Sequence, residues 1–281
     1  MTSKPRVQTY GNAYSFLKNS SLFLNRNESM NNLFWEITKR WKMGSTINWA
    51  GNIFSNHSIA LSAILTPGDY LLLSEGKVNC VEKVFQYGKS MLWNLNGVTG
   101  PSVHAEKFAN LWKNRSEGNK INVRKDFIIF SSTNTMFSAV DNLGLSLQKA
   151  TNFEWPRIRL WASQFAYEST PQLDVNASIL MAKSMLNQKN LFLLRKGDKT
   201  VGMGGFGRST LKKSVINMIY ISEEYRSKGY GATLSTNLIQ QARKNGFSGC
   251  IMFSDYLETD NLYRNLGCKE VGRFSEIKFN D

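Results

Sequence analysis

The chain has 281 residues, a formal net charge of +14 and a hydrophobic content of 42%. This is enough for two ordinary domains with substantial cores, and it excludes a compositionally disordered protein. No run of about 18 apolar residues occurs, so we expect no membrane-spanning helix, and the first residues lack the apolar segment of a secretion signal. Three cysteines without metal-ligand spacing predict reduced thiols, a cytoplasmic location and no metal site.

The positive charge is spread along the chain, because residues 1–143 and residues 144–281 each carry a net charge of +7. Such an excess weakly favours nucleic-acid binding and would equally attract an anionic cofactor. No zinc-finger spacing, RNA-binding signature or heptad pattern accompanies it. We therefore do not expect nucleic acid as a partner, and the oligomeric state stays open.

In the first half, apolar residues at helical spacing predict helices at residues 27–42, 77–92 and 102–113. Runs of β-branched and apolar residues predict strands at 48–55, 58–65, 70–73, 93–95 and 121–131. The segment 131–144 is the best candidate for an inter-domain connection. We therefore predict two domains, residues 1–143 and residues 144–281.

The second half begins with Thr151-x-x-Glu154, a capping-box pattern that predicts a helix. A second helix is predicted at residues 175–188, and a hairpin at 191–194 and 200–206. These are followed by a strand at 214–222, a helix at 231–244, a strand at 250–253, a short helix at 260–266 and a final strand at 269–279.

A basic, glycine-bearing turn separates the strand at 214–222 from the next helix. It reads Arg226-Ser227-Lys228-Gly229-Tyr230-Gly231-Ala232. Glycine allows positive φ and a close approach of the backbone to a phosphate, and a helix N-terminus attracts an anion. The pattern by itself is equally compatible with a glycine-rich turn whose basic side chains are solvated.

The order of motifs resembles the GCN5-related N-acetyltransferase (GNAT) family. The Arg-x-x-Gly-x-Gly loop follows a strand and precedes a helix, and after a further strand comes Asp260-Asn261-Leu262-Tyr263-x-x-x-Gly267. The resemblance covers residues 144–281. It implies an α/β fold with a mixed, mostly antiparallel sheet flanked by helices, splayed beside the loop.

The resemblance also implies how acetyl-CoA is bound. Residues 226–232 would hold its pyrophosphate through backbone N–H groups. Its pantetheine arm would pair with the strand at Ile219, Tyr220 and Ile221. Ile219 and Ile221 would supply the N–H and C=O groups, and Tyr220 would face the other side. Asn261, which lies closer to the tyrosine than is usual in the family, would bind the pantetheine arm or anchor the short helix.

The implied activity is transfer of the acetyl group of acetyl-CoA to a primary amine, an acyltransferase reaction without a metal. Tyr263 matches the family's general acid, although a tyrosine on an amphipathic helix is more often a packing residue. Glu168, Glu223, Glu224 and Asp255 are candidate bases, and none is assigned. The alternative function is a catalytically inactive CoA-binding regulatory or scaffold protein.

The two halves share an order of helices and strands. Tandem duplication explains this, and so does the common occurrence of that order in α/β domains. Where the second half has the glycine loop, the first has only Glu75-Gly76-Lys77. We therefore expect the first half to be a degenerate GNAT-like or accessory domain that binds no CoA.

Overall fold

The computed structural model describes residues 5–115, 120–133, 144–258 and 261–279. It separates into two compact units. Unit 1 is Met1–Phe127 with Gly272–Asp281, and unit 2 is Ile128–Val271. The connection predicted at residues 131–144 falls largely on residues 134–143, which lie outside the described ranges. The division at residue 143 therefore stays a prediction.

Eight α-helices occur in the described part of the chain: α1 (Ala13–Leu24), α2 (Asn32–Lys42), α3 (Val81–Ser90), α4 (Ser102–Lys113), α5 (Trp155–Glu168), α6 (Val175–Asn187), α7 (Tyr230–Lys244) and α8 (Leu262–Asn265). Twelve strands accompany them over the same ranges: β1 (Arg6–Thr9), β2 (Trp49–Ser55), β3 (Ser58–Leu65), β4 (Tyr70–Leu73), β5 (Gly97–Pro101), β6 (Ile121–Ser131), β7 (Leu145–Lys149), β8 (Leu191–Lys196), β9 (Lys199–Ser209), β10 (Lys213–Ile221), β11 (Gly249–Ser254) and β12 (Lys269–Phe279).

In unit 1 the strand order is β1-β2-β3-β4-β5-β12. All neighbouring strands are antiparallel except β4 and β5. Helices α3 and α4 pack on this sheet around a core that includes Phe108 and Trp112. The last strand of the chain belongs here, because Phe274 to Lys278 pair with β5.

In unit 2 the order is β6-β11-β10-β9-β8-β7, and only β10 and β11 are parallel. Helix α7 covers one face of this sheet, with Leu234 and Leu238 in the core. Helices α5 and α6 cover the other face, with Ile158 and Trp161. The α/β fold with a mixed, mostly antiparallel sheet and flanking helices is thus confirmed.

Several element predictions were wrong or missed. The strand predicted at 93–95 is absent, and β5 instead begins at Gly97. Helix α2 starts at Asn32, later than predicted. Helix α1 was missed because its buried stripe contains only two large apolar side chains, Phe16 and Leu24, beside the small residues Ala13 and Ser20. The short strands β1 and β7 were also missed, since their burial depends on pairing rather than on an apolar pattern. No helix of the described residues is long and apolar enough to span a bilayer.

Candidate functional site

Strands β10 and β11 diverge in the middle of unit 2. They pair only from Lys213 with Gly249 to Ile216 with Met252. Beyond that point β10 continues to Ile221 alongside β9, whereas β11 stays paired with β6 as far as Ser254. One edge of β10 from residue 217 to residue 221 therefore has no partner strand among the described residues, which creates the splay that the resemblance implies.

A β-bulge marks the start of this open edge. The pairing of β10 with β9 shifts register between Asn217 and Tyr220, and Met218 adopts a φ of 58°. The extra residue changes which side chains share a face. Ile219 and Ile221 pack toward the α7 side, and Met218 and Tyr220 pack against the α5–α6 side.

The backbone of Ile221 points into the gap between β10 and β11. Ser222 N–H donates to Val201 O, 3.0 Å away on β9. Because backbone groups alternate along a strand, the N–H and C=O of Ile221 point away from β9. Ile219 lies within the bulged stretch, and its side chain packs on the same face as that of Ile221. Ile219 and Ile221 are the residues that the sequence nominates for pairing with pantetheine.

The loop after β10 exposes a run of backbone donors. Ser227 has φ 57° and Gly229 has φ 75°, and α7 starts at Tyr230. The first helical hydrogen bond runs from Thr233 N–H to Gly229 O at 3.1 Å. Within the described ranges, the N–H groups of residues 227–232 have no hydrogen-bond partner. Six successive donors at the positive end of a helix dipole form a site suited to a pyrophosphate.

The basic side chains of the loop are directed elsewhere. Lys228 Nζ donates to Glu224 O at 2.8 Å. Arg226 Nε donates to Ile221 O at 2.9 Å, and its Nη2 lies 2.8 Å from Glu168 Oε2. Both cations thus cap carbonyl oxygens, and the backbone N–H groups of residues 227–232 are the donors left open in the described part of the loop.

Lys196 is a site neighbour that sequence reasoning missed. Its Nζ donates to the hydroxyl of Tyr230 at 2.8 Å, and Tyr230 stacks on Tyr225 with ring centroids 6.5 Å apart. Lys196 ends β8, far from the loop in sequence. No local signal could have identified it, because only the pairing of β8 with β9 brings it to the start of α7.

Asn261 anchors the short helix α8. Its side chain accepts from Tyr263 N–H at 3.0 Å and donates to Ser254 Oγ and Tyr256 O, both at 2.8 Å. Two roles were predicted for Asn261, binding the pantetheine arm or anchoring the short helix. The contacts that the structure shows are those of the anchoring role. Asp260, the first residue of the predicted motif, lies outside the described residues.

Tyr263 lies on α8 and is largely enclosed, with 9% of its surface exposed. Its ring packs 5.8 Å from that of Phe130, in the same core as Cys250 and Cys268. Burial raises the pKa of the Tyr263 hydroxyl, and nearby Cys268 and Asp255 raise it further. The hydroxyl therefore keeps its proton at neutral pH.

The candidate bases differ in their surroundings. All four are exposed, and Glu168 is also paired with Arg226. The geometry singles out none of them for proton abstraction. No cluster of three or more metal-ligating side chains is found in the part of the chain that the structure describes.

The equivalent place in unit 1 is closed by its own contacts. Strand β4 ends at Leu73, one residue after its pairing with β5 ends. In the following loop, Glu75 N–H donates to Asn31 Oδ1 at 2.8 Å, and Gly76 O lies 2.9 Å from His104 Nε2. Lys77 N–H donates to Ala60 O at 2.8 Å. At this place, the described residues of unit 1 therefore form neither the open strand edge nor the run of unpartnered donors found in unit 2.

Comparison with known proteins identifies a family for part of the chain. Residues 154–268 match the model of the acetyltransferase (GNAT) family, which confirms the resemblance seen in the sequence. No curated protein matches the chain.

Solved structures show the same fold over nearly the whole length. An acetyltransferase of the GNAT family from Colwellia psychrerythraea has a TM-score of 0.60 at 13% identity, covering 98% of this chain and 100% of that one. A GCN5-related N-acetyltransferase from Sphaerobacter thermophilus has a TM-score of 0.59 at 12% identity, covering 98% and 95%. A protein from Drosophila has a TM-score of 0.62 at 8% identity, covering 98% of each chain.

Proposed function

Because residues 154–268 form a domain of the GNAT acetyltransferase family, we propose that this protein transfers the acetyl group of acetyl-CoA to a primary amine. One observation carries the proposal. The six N–H groups of residues 227–232, which have no partner within the described ranges, follow the end of β10, whose preceding edge pairs with no other described strand. A ligand that combines a pyrophosphate with an amide-bearing arm would use both features together.

The pyrophosphate would accept hydrogen bonds from the loop, where hydrogen bonds to a charged acceptor are each worth about 1.5–3 kcal/mol. The pantetheine amides would pair with the N–H and C=O of Ile219 and with the N–H of Ile221, as an added strand. The Ile221 carbonyl already accepts from Arg226, so it would contribute only its second lone pair.

The reaction would begin when a neutral amine attacks the thioester carbonyl and forms a C–N bond. The amine loses a proton to water or to a carboxylate at the site. As the C–S bond breaks, the departing thiolate takes the hydroxyl proton of Tyr263. An α-amine, with a pKa of about 7.7–8.0, needs less help with deprotonation than a lysine side chain, with a pKa of about 10.4.

A CoA-binding regulatory or scaffold protein without turnover is the second candidate. The packing of Tyr263 against Phe130 in the core favours this alternative, because a packing residue needs no access to the thioester. Both candidates require acetyl-CoA to bind unit 2. We propose the cytoplasm as the location, since Cys80, Cys250 and Cys268 are buried free thiols.

A screen that measures CoA thiol release would test the proposal. Acetyl-CoA would be offered with amines of four classes: small metabolites, peptide N-termini, protein lysines and aminoglycosides. Acetyl-CoA binding, measured by calorimetry, together with amine-dependent thiol release would support transfer. Binding without release in any class would favour the second candidate, and the absence of binding would refute both.

A further inference from the structure

The guanidinium of Arg226 makes its contacts through Nε, Nη2 and its planar face, and all of them are with β10 and α5. Nε donates to Ile221 O at 2.9 Å. Nη2 donates to Glu168 Oε1 at 2.9 Å and to Glu168 Oε2 at 2.8 Å. The guanidinium carbon also lies 5.3 Å from the centre of the Tyr220 ring. Arg226 thus joins the end of β10 to the C-terminus of α5.

Tyr220 shows on which side of β10 this cluster lies. Its ring packs 5.7 Å from Trp161 of α5, and its hydroxyl donates to Gln164 Oε1 at 2.9 Å. Tyr220 belongs to the core on the α5–α6 face. The guanidinium lies over this ring, so it is on the α5 side of the strand.

The helix that carries the free donors begins on the opposite side. A Cβ placed on Gly231 would lie 3.8 Å from Leu262 and 3.9 Å from Ile221, and both of those side chains pack with α7. Arg226 Nε reaches Ile221 O at the open edge, whereas Nη2 and the ring contact of the guanidinium lie toward α5, away from Gly231 and Leu262. The charge of Arg226 is moreover already paired with a carboxylate.

We propose that Arg226 is a positioning residue that holds the end of β10 and the start of the loop against α5, without contacting the CoA pyrophosphate. Glu168 is its partner in this role. The inference rests on the proposed function, because it concerns the affinity of the same acetyl-CoA site. If the pair is lost, fewer molecules hold the loop in its binding-competent form, and the apparent affinity falls in proportion.

The distinguishing experiment is calorimetry of acetyl-CoA binding to Glu168→Gln, Arg226→Gln, Arg226→Lys and the double variant with Gln at both positions. We expect Glu168→Gln to weaken binding about two- to fivefold, the range for a half-exposed ion pair. Arg226→Gln should weaken it further because the bond to Ile221 O is also lost. Lysine cannot reproduce a guanidinium fork, so Arg226→Lys should not restore affinity, and the double variant should match Arg226→Gln.

The ion pair of Arg264 and Glu270 is a matched control, because its side chains are similarly exposed. The exposed fractions are 38% for Arg264 and 35% for Glu270, compared with 38% for Arg226 and 47% for Glu168. Glu270→Gln should leave acetyl-CoA affinity unchanged. The salt dependence of the dissociation constant gives a second readout. Arg226→Gln should keep the parent's salt dependence, since no contact between a cation and a phosphate is removed.

The opposite results would overturn the inference. If Arg226 binds the phosphate and Glu168 merely competes for it, Glu168→Gln would tighten binding or leave it unchanged. In that case Arg226→Lys would recover affinity, and Arg226→Gln would reduce the salt dependence. Failure of the proposed function is distinguishable, because the parent protein itself would then not bind acetyl-CoA.

Discussion

Gly229 offers a direct test of whether the loop before α7 binds acetyl-CoA. It has a φ of 75°, and a Cβ added there would meet nothing within 4 Å. Gly229→Ala therefore causes backbone strain without a steric clash inside the protein. The left-handed conformation costs a non-glycine residue about 1–2 kcal/mol, so the free energy of unfolding should fall by about that amount.

The effect on binding should be larger than the effect on stability. An alanine that relaxes toward negative φ moves the neighbouring N–H groups away from the bound anion. Each hydrogen bond to a charged acceptor is worth about 1.5–3 kcal/mol. The loss of even one lowers affinity about 10- to 150-fold.

Gly246 is the matched control, because it follows the other end of α7 with a φ of 89° and also has no atom within 4 Å of an added Cβ. Gly246→Ala should lose a similar amount of stability, measured by urea denaturation, and keep the parent's affinity in calorimetry. The reasoning is refuted if Gly229→Ala binds acetyl-CoA as tightly as the parent, or if both variants lose affinity equally.

Three further predictions follow from the same structure. Tyr263→Phe should keep acetyl-CoA affinity and lower turnover about 10²–10⁴-fold, and an unchanged kcat on a true acceptor would show that Tyr263 is a packing residue. Because burial raises the pKa of Tyr263, the parent protein should also lose stability as the pH rises above about 10. Calorimetric titration should give one acetyl-CoA site per chain, since the loop of unit 1 is closed by Asn31 and His104; two equivalent sites would contradict this. Burial lowers the pKa of His104, so the stability that its neutral form contributes should be present above about pH 6.5 and be lost as the pH falls. Urea denaturation from pH 7.5 to 5 should show a larger loss of unfolding free energy for the parent than for His104→Gln. Identical losses would exclude His104 as the cause.

The features that could be predicted from the sequence are local ones. The glycine loop, the strand before it and the helix after it depend on spacings of a few residues. They appear in the structure as β10, a loop with positive φ at Gly229, and α7. The capping box at Thr151 and Glu154 is likewise formed by a short-range contact, with Thr151 N–H 2.8 Å from Glu154 Oε2.

The features that could not be predicted depend on contacts between distant segments. The partner of Arg226 is Glu168, and sequence spacing gives no reason to choose it over other exposed carboxylates. Lys196 reaches Tyr230 only because β8 and β9 are paired. In the same way, β12 pairs with β5 in unit 1, although its residues directly follow the segments of unit 2.

The sequence by itself determined where an anion-binding backbone can form, because glycine positions and helix starts are set by the conformational preferences of neighbouring residues. Only the tertiary structure decided which donors in that loop are free and which charges are neutralised. Those outcomes depend on where β10 separates from β11 and which helix packs beside it. Pairing and packing join residues far apart in the chain, and a local pattern carries no information about such partners.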